Sequence, residues 1–493
     1  MSWKTIARSL KNKDMRKRIL AVLGMILVFR ALAHIPIPLA EPVQLKQLLE
    51  NIFKSQQVFG FIDILSGGAL ANFAVMLLGL GPYINASIIM QLLSKAIPKL
   101  EEISKDGESG RRRINQYTRV IAFPLAILQS IGYIFLIRQS ASSFAGIDIT
   151  KGASLLQWFV MVASVVGGSM LLMWLGEIVS EQGIGNGISL LIFAGIASRL
   201  PSTISTLVST FTQKASKVHM DWFNHHWTLP INRAQFIVSL LALGTILTTY
   251  FVVKLNEAQR VISVNYAKRV QGNRAYGGIS SVLPVKLITA GVVPIIFALA
   301  FLSVPNFVGQ LLQRGHSHWM QTWGPKLVEW FQTPGQNSQS FTQTGFKAWI
   351  YPIAYFFLVF VFTYFYTSIT FNTKEISENL QKQGGFIPEV RPGKQTETFL
   401  GKIVNRLTLF GALALGILAV IPILVEKWLK TTQFNIGGTS VLILVSVALE
   451  TLRQIESRAL MVTYDGDTYT YDDESKRTRR FKLLRRKALK SST

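Results

Sequence analysis

The sequence predicts an all-α protein that crosses a membrane many times. Its apolar residues are gathered into runs of about 20, the length that a helix needs to cross a hydrocarbon core of about 30 Å. The chain of 493 residues has a mean hydropathy of +0.34 and only 16% charged residues. Loops rich in Lys and Arg alternate with loops that carry few, as expected where successive loops lie on opposite sides of a bilayer.

Ten runs are long and apolar enough to be spans. They cover residues 19–38, 74–94, 117–138, 154–176, 184–200, 233–254, 284–306, 347–369, 402–422 and 437–456. Basic residues concentrate at 1–18, 95–119, 254–286, 374–406 and 463–493, with seven, seven, six, six and nine Lys or Arg. Because basic loops stay on the cytoplasmic side, we expect both termini to be cytoplasmic.

The spans divide the chain into two halves of five helices. An odd number of spans in each half would invert the second half relative to the first, although the sequence contains no evident internal repeat. The expected regions are an interfacial segment at 1–18, an N-terminal half at 19–200, an external loop at 201–232, a C-terminal half at 233–456 with cytoplasmic loops at 254–286 and 370–401, and a solvated tail at 457–493. The external loop at 307–346 carries weak structure signals, and the first apolar run is of span length, so no cleavable signal peptide is evident.

Residues 61–93 form an apolar stretch that is too long for one crossing. As a straight helix it would be about 50 Å long, against a hydrocarbon core of about 30 Å. Two adjacent glycines and the Gly79–Pro82 run interrupt it, and backbone groups freed by a break cannot face lipid. We therefore predict a short half-helix near 61–72 and a kinked span near 74–94, together lining a pore or a transport site.

The composition argues against metal and nucleotide chemistry. The chain has no cysteine, and its His pairs at 225–226 and 316–318 lack the carboxylate partners of a metal centre. The glycine-rich segment Gly183–Gly187 lacks the Lys and the Ser or Thr of a nucleotide-binding loop, and it predicts a tight turn between helices. We expect no catalytic residue, no metal and no cofactor.

Charges are scarce inside the spans, which disfavours coupling to an ion gradient. Arg30 and His34 lie in the first span, but near enough to its end to reach the interface or to cap the helix. The formal net charge of +25 fits basic cytoplasmic loops beside anionic lipids.

Ten segments occur in the order found in one known family of membrane proteins. They are Ile35–Pro38, SGGAL at 66–70, GPYINASIIMQLL at 81–93, GESGRRRINQYTR at 107–119, MWLGE at 173–177, GIGNGISLLIFAGI at 183–196, VNYAKR at 264–269, AGVVPIIFA at 290–298, GGFIPEVRPGKQT at 384–396 and GGTSVLILV at 437–445. In these segments the chain resembles the SecY/Sec61-alpha family, the channel-forming subunits of Sec protein translocases. The resemblance covers nearly the whole chain, apart from the loops at 201–232 and 307–346 and the tail after about 460.

The resemblance implies an hourglass of ten helices whose waist is a ring of aliphatic side chains. Carried over position by position, the pore ring is Leu80, Ile84, Ile188, Ile192, Ile296 and Ile443. The first four form two i, i+4 pairs, so that each pair shares one face of a helix. Branched aliphatic side chains leave a narrow neck that disfavours water and ions. Without the resemblance, aliphatic residues in a span more often face lipid or a neighbouring helix.

The resemblance also implies a plug and a lateral gate. The plug would be the re-entrant segment near 61–72, with Phe61, Ile64 and Leu65 and hinge positions at Gly67 and Gly68. The gate would lie between the second and seventh spans, at Asn85, Gln91, Ile288 and Thr289. Bacterial relatives often carry Asn at the position of Ile288, which predicts a more apolar gate and a shifted threshold for signal hydrophobicity.

The basic loops would dock the partners that supply energy. The resemblance implies that Lys268, Arg269, Arg274, Arg391 and Lys394 contact the SecA motor ATPase or the ribosome, whose ribosomal RNA presents dense phosphate. Further implied partners are SecE, SecG, the signal sequences of preproteins and anionic lipids, with YidC and SecDF as accessory proteins. The implied place is the bacterial plasma membrane.

Three functions remain open on the residues alone. A protein-conducting channel explains the broken helix and the ordered motifs. An inverted-repeat transporter for an organic solute explains the spans but not the scarcity of charge inside them. A membrane-embedded enzyme lacks a catalytic constellation.

Overall fold

The structure, a computed structural model, describes most of the chain. The described residues are 13–37, 66–69, 73–145, 154–201, 204–205, 217–222, 225–266, 269–271, 274–276, 280–313, 317–331, 347–429 and 440–458. The predicted interfacial segment at 1–18 lies mostly outside them, as does nearly all of the tail.

Helices dominate the fold. In chain order they are α1 (Lys13–Leu32), α2 (Gly81–Ala96), α3 (Pro98–Lys105), α4 (Gly107–Ala145), α5 (Leu155–Gln182), α6 (Gly187–Ala197), α7 (Arg233–Glu257), α8 (Val293–Leu312), α9 (His318–Phe331), α10 (Lys347–Thr370), α11 (Thr373–Lys382), α12 (Lys394–Leu429) and α13, which covers 440–458. The strands are β1 (Lys217–Trp222), β2 (His225–Asn232), β3 (Gln259–Tyr266), β4 (Arg269–Gln271), β5 (Arg274–Tyr276), β6 (Ser280–Lys286) and β7 (Gly385–Phe386).

Each predicted span coincides with a helix over much of its length. Five helical stretches among the described residues are long and apolar enough to cross a membrane by themselves, and they lie at Arg112–Phe135, Leu155–Gln182, Val293–Leu312, Trp349–Lys382 and Lys394–Val425. Helix α6 is apolar but shorter, with 11 residues. The chain is therefore a helical membrane protein.

The stretch at 61–93 is broken more completely than the sequence predicted. Residues 66–69 form a turn rather than part of a half-helix, and residues 73–80 form a series of tight turns rather than the start of a kinked span. Helix α2 begins only at Gly81, because Pro82 has no N–H and is tolerated in the first helical turn. The predicted break is real, and it lies later in the chain than expected.

Two further predictions about local structure were wrong. The seventh span does not begin at 284, because residues up to Lys286 continue strand β6 and the helix starts at Val293. The loop at 307–346 is not weakly structured throughout, since α8 runs on to Leu312 and α9 follows it. Charged and amide side chains in these two segments interrupt the spacing of apolar residues from which helices are predicted.

The predicted tight turn at Gly183–Gly187 is confirmed. Gly183 ends α5 in the left-handed conformation with φ of 68°, which suits a residue without a Cβ. Asn186 then caps α6, because its side-chain oxygen accepts a hydrogen bond from the Ile188 N–H at 3.1 Å.

The two long loops that were predicted to be cytoplasmic fold together. Strand β3 pairs with β6 from its own loop and with β7 from the loop at 370–401, giving a three-stranded antiparallel sheet in the order β6-β3-β7. Ile262, Val285 and Leu400 are buried in the small core that this sheet shares with α12. The two loops therefore form one folded unit with a core of its own.

The main core is one buried apolar cluster that both halves of the chain supply, here called the central cluster. It contains residues between positions 29 and 196 of the N-terminal half and between 252 and 447 of the C-terminal half. Its fully buried members include Phe29, Leu191 and Tyr355, from α1, α6 and α10. The cluster therefore lies where the helices of the two halves meet.

Candidate functional site

The structure brings the six predicted ring residues to the central cluster. Their exposed fractions are 2% for Leu80, 3% for Ile84, 0% for Ile192, 6% for Ile296 and 1% for Ile443, while Ile188 is partly buried and packs against the same cluster. The residues come from α2, α6, α8 and α13, which are remote from one another in sequence. Their side chains offer no hydrogen bond to a passing peptide, to water or to an ion.

Short-range contacts position the first two pairs. Ile84 N–H donates to the carbonyl oxygen of Leu80 at 3.0 Å, so Leu80 is the N-cap residue of α2 and Ile84 lies in its first turn. The start of α6 lies directly against α5, because a Cβ at Gly187 would collide with the carbonyl oxygen of Gly176, whereas a Cβ at Gly176 would only touch Cγ1 of Ile188 at 3.5 Å. The absence of a side chain at Gly187 thus allows the close approach that places Ile188 beside α5.

The described part of the predicted plug is a buried turn between α1 and α6. Gly67 and Gly68 have φ of 69° and 90°, which L-residues rarely adopt. A Cβ at Gly67 would lie 2.6 Å from Cζ of Phe29 and 3.3 Å from Cα of Gly195. The predicted plug residues Phe61, Ile64 and Leu65 lie outside the described part of the chain.

A cation from the first span holds this turn, which the sequence reasoning missed. The Arg30 side chain turns towards residues 66–69, and its Nη1 donates to the carbonyl oxygen of Gly67 at 2.5 Å. A second guanidinium is near, since a Cβ at Gly68 would lie 3.8 Å from Nη2 of Arg199. The only sequence signal was the presence of two arginines close to span ends.

The gate candidates occupy two kinds of environment. Asn85 is half-buried on α2, and Gln91 donates from Nε2 to Oγ of Ser87 at 3.1 Å, while its Oε1 is buried without a partner among the described residues. Ile288 is 4% exposed and belongs to the central cluster, whereas Thr289 donates from Oγ1 to the carbonyl oxygen of Lys286 at 3.1 Å. A buried polar atom without a hydrogen-bond partner costs about 1–3 kcal/mol. Among the gate candidates, Gln91 therefore carries such a cost on α2.

An ion pair that the sequence did not predict joins α4 to α5. Arg119 of α4 donates from Nε to Oε1 of Glu177 on α5 at 2.8 Å, and its Nη2 contacts the other carboxylate oxygen. Such a two-point contact fixes orientation as well as distance. The Glu177 side chain is only 14% exposed, and it therefore depends on this partner.

The docking candidates are only partly described. Arg391 and Lys394 are exposed on either side of the turn that leads into α12. The turn is fixed by Ser377 Oγ, which donates to the carbonyl oxygen of Gly393 at 2.7 Å, and by Thr396 Oγ1, which donates to that of Arg391 at 2.9 Å. The backbones of Arg269 and Arg274 lie in the β4–β5 hairpin, and Lys268 lies outside the described residues.

Polar contacts connect the base of the β6-β3-β7 sheet to α13. Arg453 Nη2 donates to the carbonyl oxygen of Asn256 at 2.9 Å, and Asn256 Nδ2 donates to Oγ of Ser446 at 3.1 Å. Burial, and next the charge of Arg453, lower the pKa of Lys286 at the end of β6. The helix that carries Ile443 is therefore tied to the point where the sheet leaves the helical bundle.

These features define a class: helical membrane proteins with a buried apolar centre and a folded unit outside the helical bundle. The SecY family model matches residues 74–452. The protein translocase subunit SecY of Streptomyces galbus is 38% identical over 93% of this chain and 98% of its own length, and that of Corynebacterium glutamicum is 36% identical over 94% and 99%. The chain belongs to the SecY family.

Solved structures share the fold. One described as a protein-conducting channel has a TM-score of 0.60 at 18% identity and covers 89% of this chain and 91% of its own. Another, in which the plug domain of SecY stabilises the closed translocation channel and maintains a membrane seal, has a TM-score of 0.57 at 21% identity, with 88% and 90% covered. At these identities the likeness is one of fold.

Proposed function

We propose that this chain is a protein-conducting channel that moves unfolded preproteins across a membrane and releases hydrophobic segments sideways into the bilayer. The observation that carries the proposal is the 38% identity to a translocase subunit over 98% of that subunit's length. The joint burial of the predicted ring residues supports it, because a channel for long polypeptides needs a seal when no cargo is present.

The closed state depends on the ring and the plug. The aliphatic ring closes an apolar neck that neither water nor ions enter readily. The turn at 66–69 packs beside it, and its Ala69 belongs to the central cluster. Opening moves this turn away from α1 and lets the ring residues close around an extended chain without hydrogen bonds that would retain it.

The lateral gate lies between α2 and the start of α8. A signal sequence inserts there by replacing contacts between apolar side chains, including those of Ile288. Because Ile288 is buried among apolar neighbours, a signal must supply comparable apolar surface to displace them. This sets a hydrophobicity threshold for cargo.

Partners supply the energy. SecA or the ribosome docks on the cytoplasmic sheet and on the turn that bears Arg391 and Lys394, where cations meet acidic protein surface or ribosomal RNA. Sec61 in a canine ribosome–channel complex shares the fold, with a TM-score of 0.57 at 18% identity. SecE and SecG complete the channel in the bacterial plasma membrane with both termini cytoplasmic, and YidC and SecDF assist. The channel itself uses no cofactor.

Reconstitution tests the function directly. Vesicles that contain this chain with SecE and SecG should protect an unfolded preprotein from added protease when SecA and ATP are present, and not when ATP is omitted. The matched control is the same vesicle with Ile296→Asp, which places a charge in the ring and should alter the seal without removing the docking sheet. Accumulation of a small solute by the chain alone, without protection of the preprotein, would instead identify a transporter.

A further inference from the structure

Helix α9 is packed against the end of a span without intervening side chains. A Cβ at Gly309 of α8 would lie 2.9 Å from Cβ of Leu327, and a Cβ at Gly324 of α9 would lie 2.6 Å from the backbone nitrogen of Gln313. Position 309 thus faces 327 and position 313 faces 324, so the two helices run antiparallel at close range. Helix α9 is therefore held at the level where α8 ends.

The outward side of α9 carries aromatic rings and a cation. Trp319, Trp323, Lys326 and Trp330 follow one another at intervals of four, three and four residues, which places them on one helical face; we call them the aromatic stripe. Trp323 and Trp330 meet edge to face with ring centroids 6.5 Å apart, and Nζ of Lys326 lies 5.3 Å from the ring centroid of Trp323. The stripe is an ordered surface rather than a set of scattered side chains.

The stripe is more exposed than tryptophan usually is. The exposed fractions are 59% for Trp319 and 40% for Trp323. In water, this apolar surface costs about 25 cal/mol per Å². At a bilayer surface the same ring is favoured, because its apolar body meets acyl chains while its N–H and a nearby ammonium group meet phosphate.

We propose that the aromatic stripe inserts into the phospholipid headgroup layer on the side of the membrane where α8 ends. The lipid class is one with a phosphate that Lys326 can approach, including anionic phosphatidylglycerol. Since α9 is locked to α8 through Gly309 and Gly324, insertion sets the depth of α8 in the bilayer. Helix α8 carries Ile296, so the lipid contact also sets the height of one ring residue.

The absence of cysteine makes the test direct, since every introduced cysteine is the only one in the chain. Trp319→Cys and Trp323→Cys are labelled with a nitroxide, and the full chain is reconstituted into vesicles of phosphatidylethanolamine and phosphatidylglycerol. Collisions with oxygen, which concentrates in lipid, are compared with collisions with a water-soluble nickel chelate. The matched control is Gln321→Cys, an exposed position two residues from each on a different face of α9. Phe159→Cys, at a 71% exposed position near the start of span α5, gives the lipid reference.

We expect the ratio of oxygen to nickel collisions at 319 and 323 to be severalfold higher than at 321 and below that at 159. Equal ratios at 319, 321 and 323 would place the stripe in water and overturn the proposal. Low collision rates with both reagents at 319 and 323 would show a covering protein, and would overturn it equally.

A second measurement covers the case in which a cysteine variant does not fold. Brominated phospholipid should quench the fluorescence of the unaltered protein by a larger fraction than that of the Trp319→Phe/Trp323→Phe protein. Trp174→Phe, at a 57% exposed position on span α5, serves as the control for a lipid-facing ring. Equal fractional quenching of the unaltered and double-variant proteins would contradict insertion of the stripe.

Discussion

Replacing Arg30 by alanine is expected to release the turn of the proposed plug. The guanidinium donates to the carbonyl oxygen of Gly67 at 2.5 Å. A hydrogen bond from a charged group contributes about 1.5–3 kcal/mol, and 1.4 kcal/mol is a factor of ten in an equilibrium constant. Because the bond forms only while the turn lies beside α1, its loss should favour the displaced turn by about tenfold to about 150-fold.

Two assays report that change. Channel complexes with Arg30→Ala should leak ions in planar bilayers without cargo, and cells that carry them should export a preprotein whose signal sequence is weakened. Arg30→Lys retains the charge but loses the planar guanidinium, so its effect should be intermediate. Gly67→Ala is an independent perturbation that should act in the same direction, because a Cβ there would lie 2.6 Å from Phe29 and the backbone φ of 69° disfavours it.

Arg18 provides the matched control. It lies on the same helix and its Nη1 also donates to a backbone carbonyl oxygen, that of Gln182, at 3.0 Å. Arg18→Ala removes a comparable contact at the opposite end of α1 and should not increase the leak. If Arg30→Ala and Arg18→Ala leak equally, or if neither leaks, the reasoning about the turn is refuted.

Three further predictions concern the gate, the docking surface and the helix packing. Ile288→Asn buries an amide in the central cluster at a cost of about 1–3 kcal/mol, so it should improve export of preproteins with weakly hydrophobic signals. Ile288→Val keeps an apolar side chain and should leave that export unchanged. If export is also unchanged in Ile288→Asn, Ile288 does not set the signal threshold. Arg391→Glu should slow SecA-driven translocation in vesicles while the channel remains inserted in the membrane. Lys382→Glu, a charge reversal at an exposed position on α11, should have little effect. Equal slowing by both variants would indicate a general charge effect and contradict a docking role for Arg391. Arg119→Ala leaves Glu177 without its ion-pair partner and should lower the melting temperature in detergent. The Arg119→Ala/Glu177→Ala variant should recover part of that loss, because no unpaired carboxylate remains. An unchanged melting temperature in Arg119→Ala would show that the pair does not stabilise the bundle.

The approximate places of the helices could be predicted from the sequence, and half of the predicted span ends lie within three residues of the observed helix ends. Bilayer thickness sets a length of about 20 apolar residues, and this signal needs no knowledge of neighbouring helices. The length of apolar runs gave the wrong helix boundaries where the chain leaves the helical bundle. The end of β6 and the start of α9 carry short mixed segments whose structure depends on pairing with β3 and on packing against α8.

The ring residues could be chosen from motifs, but their association could not be derived from spacing. Any aliphatic face of a span fits lipid as well as a pore, since both surroundings are apolar. Only the packing of α2, α6, α8 and α13 places Leu80, Ile192, Ile296 and Ile443 in one buried cluster. Helix packing, rather than residue type, separates these positions from similar residues that face outwards.

The sequence by itself determined that this is a helical membrane protein of the SecY family whose apolar stretch at 61–93 is interrupted, because hydropathy, glycine and proline act locally along the chain. The tertiary structure alone decided which polar groups meet. Arg30 reaches Gly67 across 37 positions, Arg119 reaches Glu177 across 58, and Arg453 reaches Asn256 across 197. Such partners are selected by how the helices pack, since a buried hydrogen-bonding group takes the partner that packing brings within about 3 Å.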